Sequence, residues 1–150
     1  MQKLTRITTE FFIPCVPLPY CRARVRVVHG HAMLYNKAEY TEIKDVIRLA
    51  GIRALKNLSR NLFIPNYNPV EMRITVVLQK PKKLSGKYKA CVGVGKGDSD
   101  NFQKPVFDAL EKIYYHNDGQ IGKVSCEKVY TSPEYPESGF LICVKNYIQA

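Results

Sequence analysis

No stretch of the 150 residues stays apolar for the length a membrane span requires, and Met1-Gln2-Lys3-Leu4-Thr5-Arg6 leads straight into alternating residues without the apolar core of a signal peptide. A cytoplasmic protein with no membrane partner is therefore expected. Cysteine-pairing signals are also missing. Cys15, Cys21, Cys91, Cys126 and Cys143 are odd in number, widely spaced and never arranged as C-x-x-C. That excludes a sequence-readable disulfide framework or zinc site and leaves reduced, mostly buried thiols. No internal repeat or linker interrupts the chain, so one compact domain over residues 1–150 is expected, long enough to bury most of its apolar surface.

Acidic residues are scarce over the first 97 positions, which hold 18 basic residues against 5 acidic, a net charge of +13. Residues 98–150 reverse the balance, with 8 acidic residues against 5 basic. The whole chain, at +10 and a pI near 9.4, suits a polyanionic partner. Its carboxylates gather in the last third.

Residues Ile7 to Ile13 alternate as a strand, and Pro14, Pro17 and Pro19 then break the chain. Arg22-Ala23-Arg24-Val25-Arg26-Val27 alternates strictly, which places three guanidinium groups on one face of a strand. His29-Gly30-His31 reads as a hairpin turn returning through Met33-Leu34-Tyr35. From Lys37 to Asn57, Tyr40, Ile43, Val46, Ile47, Ala50 and Ala54 recur at helical spacing, with Gly51 weakening the helix slightly. Val70 to Leu78 is the cleanest strand and belongs in or near the centre of a sheet. Lys80 to Gly97 is a lysine-rich, glycine-containing loop, followed by a helix from about Asn101 to Ile113 that buries Phe102, Val106, Leu110 and Ile113. Ile121 to Thr131 and Phe140 to Val144 complete the order β-β-β-α-β-α-β-β, an α+β arrangement with two main helices packed on a mixed β-sheet.

The carboxylates with the best spacing for chemistry are Asp98 and Asp100, followed by Lys104, Asp108 and Asp118. In an extended segment Asp98 and Asp100 point to the same side and can share a metal. Lys104 lies one helical turn after Asp100. A turn at Asp118-Gly119 brings the third carboxylate back towards the helix N-terminus. Such a set suits phosphodiester hydrolysis, with hard oxygen ligands for Mg²⁺ and a lysine offsetting charge on phosphorus. Spacing alone favours a plainer arrangement, namely a helix capped by Asp98, Ser99 or Asp100, an exposed Lys104/Asp108 pair and a simple Asp-Gly turn.

The string Asp98-x-Asp100-Asn101-Phe102-x-Lys104, continuing Val106-Phe107-Asp108-Ala109-Leu110 and ending Asn117-Asp118-x-Gln120-Ile121, resembles the RusA family of Holliday junction resolvases, whose motif reads D-x-D-N-[LF]-x-K…[LF]-D-A-L…D-D-x-Q-[VI]. Arg22-Ala23-Arg24, Gly30 and Tyr35 add a weaker match to phage-type members. The resemblance implies a homodimeric endodeoxyribonuclease of a bacterial or phage-infected cell. It would bind branched, four-way DNA and make paired nicks with Mg²⁺, for which Mn²⁺ substitutes, and with no small-molecule cofactor. It carries over Asp98, Asp100 and Asp118 as acidic, metal-binding catalytic residues and Lys104 as the catalytic lysine. The chain departs from the motif at Asn117, where the family often has Asp. Pro105 follows Lys104 directly and, being tolerated in a first helical turn, predicts a helix start one or two residues later.

The basic residues offered as DNA contacts are Arg22, Arg24 and Arg26 on the second strand, and Lys82, Lys83, Lys87 and Lys89 on the loop, where lysines can follow a phosphate backbone without reading bases. Each also fits a merely solvated surface. His29 and His31 are explained by their turn. Tyr114-Tyr115 fits either stacking on exposed bases or packing into the core.

Overall fold

The computed structural model describes residues 4–19, 24–35, 38–58, 66–82 and 98–149. Its elements follow in the order β1 (Leu4–Pro14), β2 (Arg24–Val28), β3 (His31–Tyr35), α1 (Ala38–Lys56), β4 (Val70–Leu78), α2 (Ser99–Leu110), β5 (Ile121–Tyr130) and β6 (Gly139–Gln149), with one 3-10 turn at Asp118–Gln120. The class is α+β, a mixed sheet carrying two helices.

Four strands pair in the order β1-β6-β4-β5, while β2 and β3 form a separate hairpin. As the alternation of Val70 to Leu78 predicts, β4 is interior, antiparallel to β6 and parallel to β5. Parallel neighbours need a crossover, and α2 lies within the one that leads from β4 to β5. Met72, Ile74 and Val76 of β4 and Phe140, Ile142 and Val144 of β6 join Ile43, Ile47, Phe102, Val106 and Leu110 in one core beneath the helices. The opposite side of the sheet is charged at one end, with Arg73 paired to Glu10 at 3.6 Å and Lys145 to Glu71 at 4.0 Å, while Val77, Val129 and Cys143 are buried on that side.

The hairpin turn is confined to His29 (φ 50°) and Gly30 (φ 76°). Positive φ at both centres matches the twist of two adjoining strands, and His is among the residues that tolerate it. Along α1 the buried stripe is Tyr40, Ile43, Ile47 and Gly51, whereas Val46 is exposed, a correction to the spacing read from sequence. Gly51 has a packing reason to be glycine, because a Cβ there would lie 2.6 Å from Leu110 Cδ2 and 3.2 Å from Tyr114 Cε2.

Gly139, where β6 begins against the end of β1, has φ 157°, and a Cβ would stand 2.1 Å from the Ile13 carbonyl oxygen. Neither backbone can yield without breaking the β1–β6 register. Gly139→Ala is therefore expected to destabilise the fold by on the order of 3 kcal/mol, read as a lowered urea midpoint. An unchanged midpoint would mean that the strand ends relax at no cost.

Candidate active site

Helix α2 starts earlier than its proline implies. Asp98 is its N-cap, extended at φ −77° and ψ 150°, and its carbonyl accepts from Asn101 N at 3.1 Å and Phe102 N at 3.3 Å. Pro105 consequently lies inside the helix, buried in its second turn, rather than near its start. Asp98 and Asp100 do not share an extended segment either, because Asp100 already belongs to the first helical turn. Both carboxylates are exposed, and the Asp98 side chain makes no capping hydrogen bond. Negative charge at this end is favoured by the unsatisfied N–H groups of the first turn.

Lys104 reaches forward along the chain. Its Nζ is 3.1 Å from Asp108 Oδ1 and 3.8 Å from Asp118 Oδ2, so one ammonium joins the helix to the 3-10 turn that precedes β5. These half-exposed pairs contribute little to stability. Their consequence is positional, since Lys104 and Asp118, 14 residues apart in the chain, share one patch.

Buried anchors fix the return from α2 to Asp118. Tyr114 and Tyr115 are fully buried, which removes them as base-stacking candidates. The Tyr114 hydroxyl donates to the Gly51 carbonyl at 2.8 Å, and Asn146 Nδ2 donates to the Tyr114 carbonyl at 2.8 Å. The Tyr115 hydroxyl donates to the Phe107 carbonyl at 2.6 Å. Burial first, and then the charges of Asp118, Glu111 and Asp108, push that phenol well above its ordinary range and keep it a neutral donor beneath the patch. Arg48 Nη1 reaches the carbonyls of Ala109 at 3.4 Å and Glu111 at 3.3 Å, satisfying acceptors that the helix end leaves open.

Asn117 and Gln120 close the 3-10 turn as a reciprocal capping box. Asn117 Oδ1 accepts from Gly119 N at 2.7 Å, a role the aspartate common at that motif position would also fill. Gln120 does more. Its Oε1 accepts from His116 N at 2.8 Å and Asn117 N at 3.0 Å, while its Nε2 donates to the carbonyls of Asn66 at 2.6 Å and Asn68 at 3.0 Å. This one side chain ties the segment carrying Asp118 to the segment leading into β4.

Glu111 is a neighbour that sequence reasoning missed. Its Oε1 accepts from Asp118 N at 3.3 Å. A helix running to Ile113, as the sequence suggests, would have set Lys104, Asp108 and Glu111 at i, i+4 and i+7 on one face, whereas α2 ends at Leu110 and Glu111 reaches Asp118 from its extended C-cap. Of the four residues singled out for catalysis, Lys104 and Asp118 are in contact, and Asp98 and Asp100 stand together at the start of α2. No set of three or more His, Cys, Asp or Glu side chains among the described residues is gathered tightly enough to hold a metal ion. The donors are nonetheless hard carboxylate oxygens, and Mg²⁺ ordinarily takes one or two carboxylates together with substrate phosphate and water. The residues fit that cation chemically.

Among the residues offered as DNA contacts, Arg26 and Lys82 are exposed and Arg24 opens β2. Arg22, Lys83, Lys87 and Lys89 lie outside the described residues, as do Cys21 and Cys91. Cys143 is buried and Cys15 and Cys126 half-buried, all as free thiols. Burial pushes Cys126 up to about 11 against the opposing effects of Gln103 and Lys128, and burial likewise raises Cys15 to about 11. None of the described helices is long and apolar enough to cross a membrane.

A sequence model of the family described as endodeoxyribonuclease RusA matches residues 14–135, a span that includes α2, Lys104 and Asp118. No curated protein sequence matches the chain.

Proposed function

The chain belongs to the RusA endodeoxyribonuclease family, and from that premise we propose that it resolves four-way DNA junctions by metal-dependent hydrolysis of phosphodiester bonds. The observation that carries this reading is the Lys104 ammonium lying between Asp108 and Asp118, on the same helix that Asp98 caps and whose first turn holds Asp100. Such an ammonium offsets the charge that builds on phosphoryl oxygens as the bond to the leaving oxygen breaks. Asp98, Asp100 and Asp118 would hold Mg²⁺ or Mn²⁺, which when bound supplies an activated water and stabilises the leaving oxygen. The carboxylates repel the DNA backbone until a cation neutralises them, so attraction must come from the basic surface supplied by residues 1–97. Arg22, Arg24, Arg26, Lys82, Lys83, Lys87 and Lys89 are our proposed contacts there.

Resolving a junction into two duplexes requires nicks in two symmetry-related strands. A homodimer with twofold symmetry supplies two identical centres for them, and twofold dimers are the commonest closed assembly. A strand-labelled four-way junction, a flap and a linear duplex, each incubated with the protein in Mg²⁺ and in EDTA, test the proposal. We expect paired nicks in the junction in Mg²⁺ only, with the linear duplex left intact. Equal cutting of the flap, by a protein that sediments as a monomer on DNA, would replace this reading with a branch nuclease acting through one centre.

A further inference from the structure

Tyr114 and Tyr115 are buried, but another aromatic residue near Asp118 is not. Tyr67 stacks on the imidazole of His116 with ring centroids 4.3 Å apart and an interplanar angle of 23°, yet it remains 81% exposed. With one face on the imidazole, the other is open to solvent. The loop beneath the ring is tied down on both sides. Gln120 Nε2 holds the carbonyls of Asn66 and Asn68, and the side-chain amides of Asn66 and Asn68 donate to the Tyr147 carbonyl at 3.1 and 2.7 Å. Asn68 N closes the turn on Asn66 Oδ1 at 2.9 Å. The backbone N–H of His116 is held by the same Gln120, two residues before Asp118. Lys112, whose Nζ donates to the His116 carbonyl at 2.8 Å, sets a cation beside the pair.

What sets Tyr67 apart from an ordinary exposed side chain is its support, since its ring packs on an imidazole and its loop is bonded on both sides while most of its surface stays in water. Its chemistry narrows the ligand. A flat ring with an open face beside a lysine takes a planar, phosphate-linked group, and every nucleobase has such a face. We infer that Tyr67, backed by His116, is a stacking platform for an unstacked nucleobase next to the phosphate to be cut, and that it is a positioning residue that selects branched DNA. This rests on the nuclease reading. In continuous duplex each base is already stacked on its neighbours and none can reach the ring, whereas strands at a branch can offer one. Because the platform is preorganised, little ordering cost is left to offset the stacking gain.

The chain has no tryptophan, so Tyr67→Trp places a single indole at the platform. Without divalent metal, its emission should be quenched as a four-way junction saturates the protein, with binding followed separately by anisotropy of a labelled strand. Linear duplex should bind without quenching. Tyr67→Ala, at a site too exposed to endanger folding, should lose roughly tenfold in junction affinity, with duplex affinity unchanged and Tyr67→Phe close to wild type. Unquenched emission on a saturated junction, or equal weakening towards junction and duplex, overturns the platform and leaves the nuclease reading standing. Failure of the unaltered protein to bind any of these DNAs overturns that reading, and the platform with it.

Discussion

Asp118→Asn is expected to lower junction cleavage on the order of 10²- to 10³-fold while junction binding holds or tightens. The substitution removes one negative charge from a site that must approach phosphates, and it alters no atom on which the local fold depends. The turn is held by the side chains of Asn117 and Gln120 and by the backbone N–H of Asp118 on Glu111, none of which changes. Lys104 would keep its nearer partner, Asp108, at 3.1 Å, so the ammonium should stay in place. A lost rate would then report on the carboxylate and not on a collapsed site. Asp98→Asn and Asp100→Asn should behave alike, since both side chains are exposed at the head of α2. Cleavage in Mg²⁺ and anisotropy on labelled junction check the two halves of this expectation. A wild-type rate in any one of the three variants would remove that residue from the site.

Short-range periodicity made much of the fold legible. The alternation of Val70 to Leu78 marks a strand with a buried face, and Phe102, Val106, Leu110 and Ile113 fall where α2 and its following turn meet the core. Reading failed where tertiary contacts overrode a local rule. Pro105 argues for a late helix start, but Asn101 and Phe102 already bond back to Asp98, and the helix runs on through Pro105 although a proline there forfeits the N–H bond to the Asn101 carbonyl. Val46 keeps helical register with the core yet remains exposed, because Ile47 and Gly51 are the positions that meet the sheet and α2.

The site was legible in part for the same reason. Asp98, Asp100, Lys104 and Asp118 stand in a linear motif, and the spacing of Glu111 from Lys104 and Asp108 was there to be read, although Glu111 is the extended cap of α2 and not part of it. The clamp from Gln120 to Asn66 and Asn68 was not, since these partners are more than 50 residues apart and no local pattern relates them. Tyr67 escaped for that reason as well. An aromatic residue in a loop between helix and strand carries no periodic signal, and only the folded chain places its ring against His116.

Junction affinity is expected to fall about 10³-fold between roughly 50 and 200 mM salt, as befits around six phosphate contacts that each release a counterion. The slope follows from the division of charge along the chain. The patch around Lys104 holds Asp108, Glu111 and Asp118 and cannot itself attract DNA, whereas residues 1–97 carry a net +13. Binding is therefore expected to be driven from that basic portion, against the repulsion between the acidic patch and the backbone. Exposed Arg26 on β2 and Lys82 after β4 are the proposed contacts open to a direct test. If each touches a phosphate, Arg26→Ala and Lys82→Ala should each reduce the slope of log affinity against log salt by about one, without changing which DNA shape is preferred. Tyr67→Ala should do the opposite, changing the preference and leaving the slope alone. Affinity that is indifferent to salt would show that the surface does not track phosphates, and unchanged slopes in both cation variants would move the contact to other basic residues.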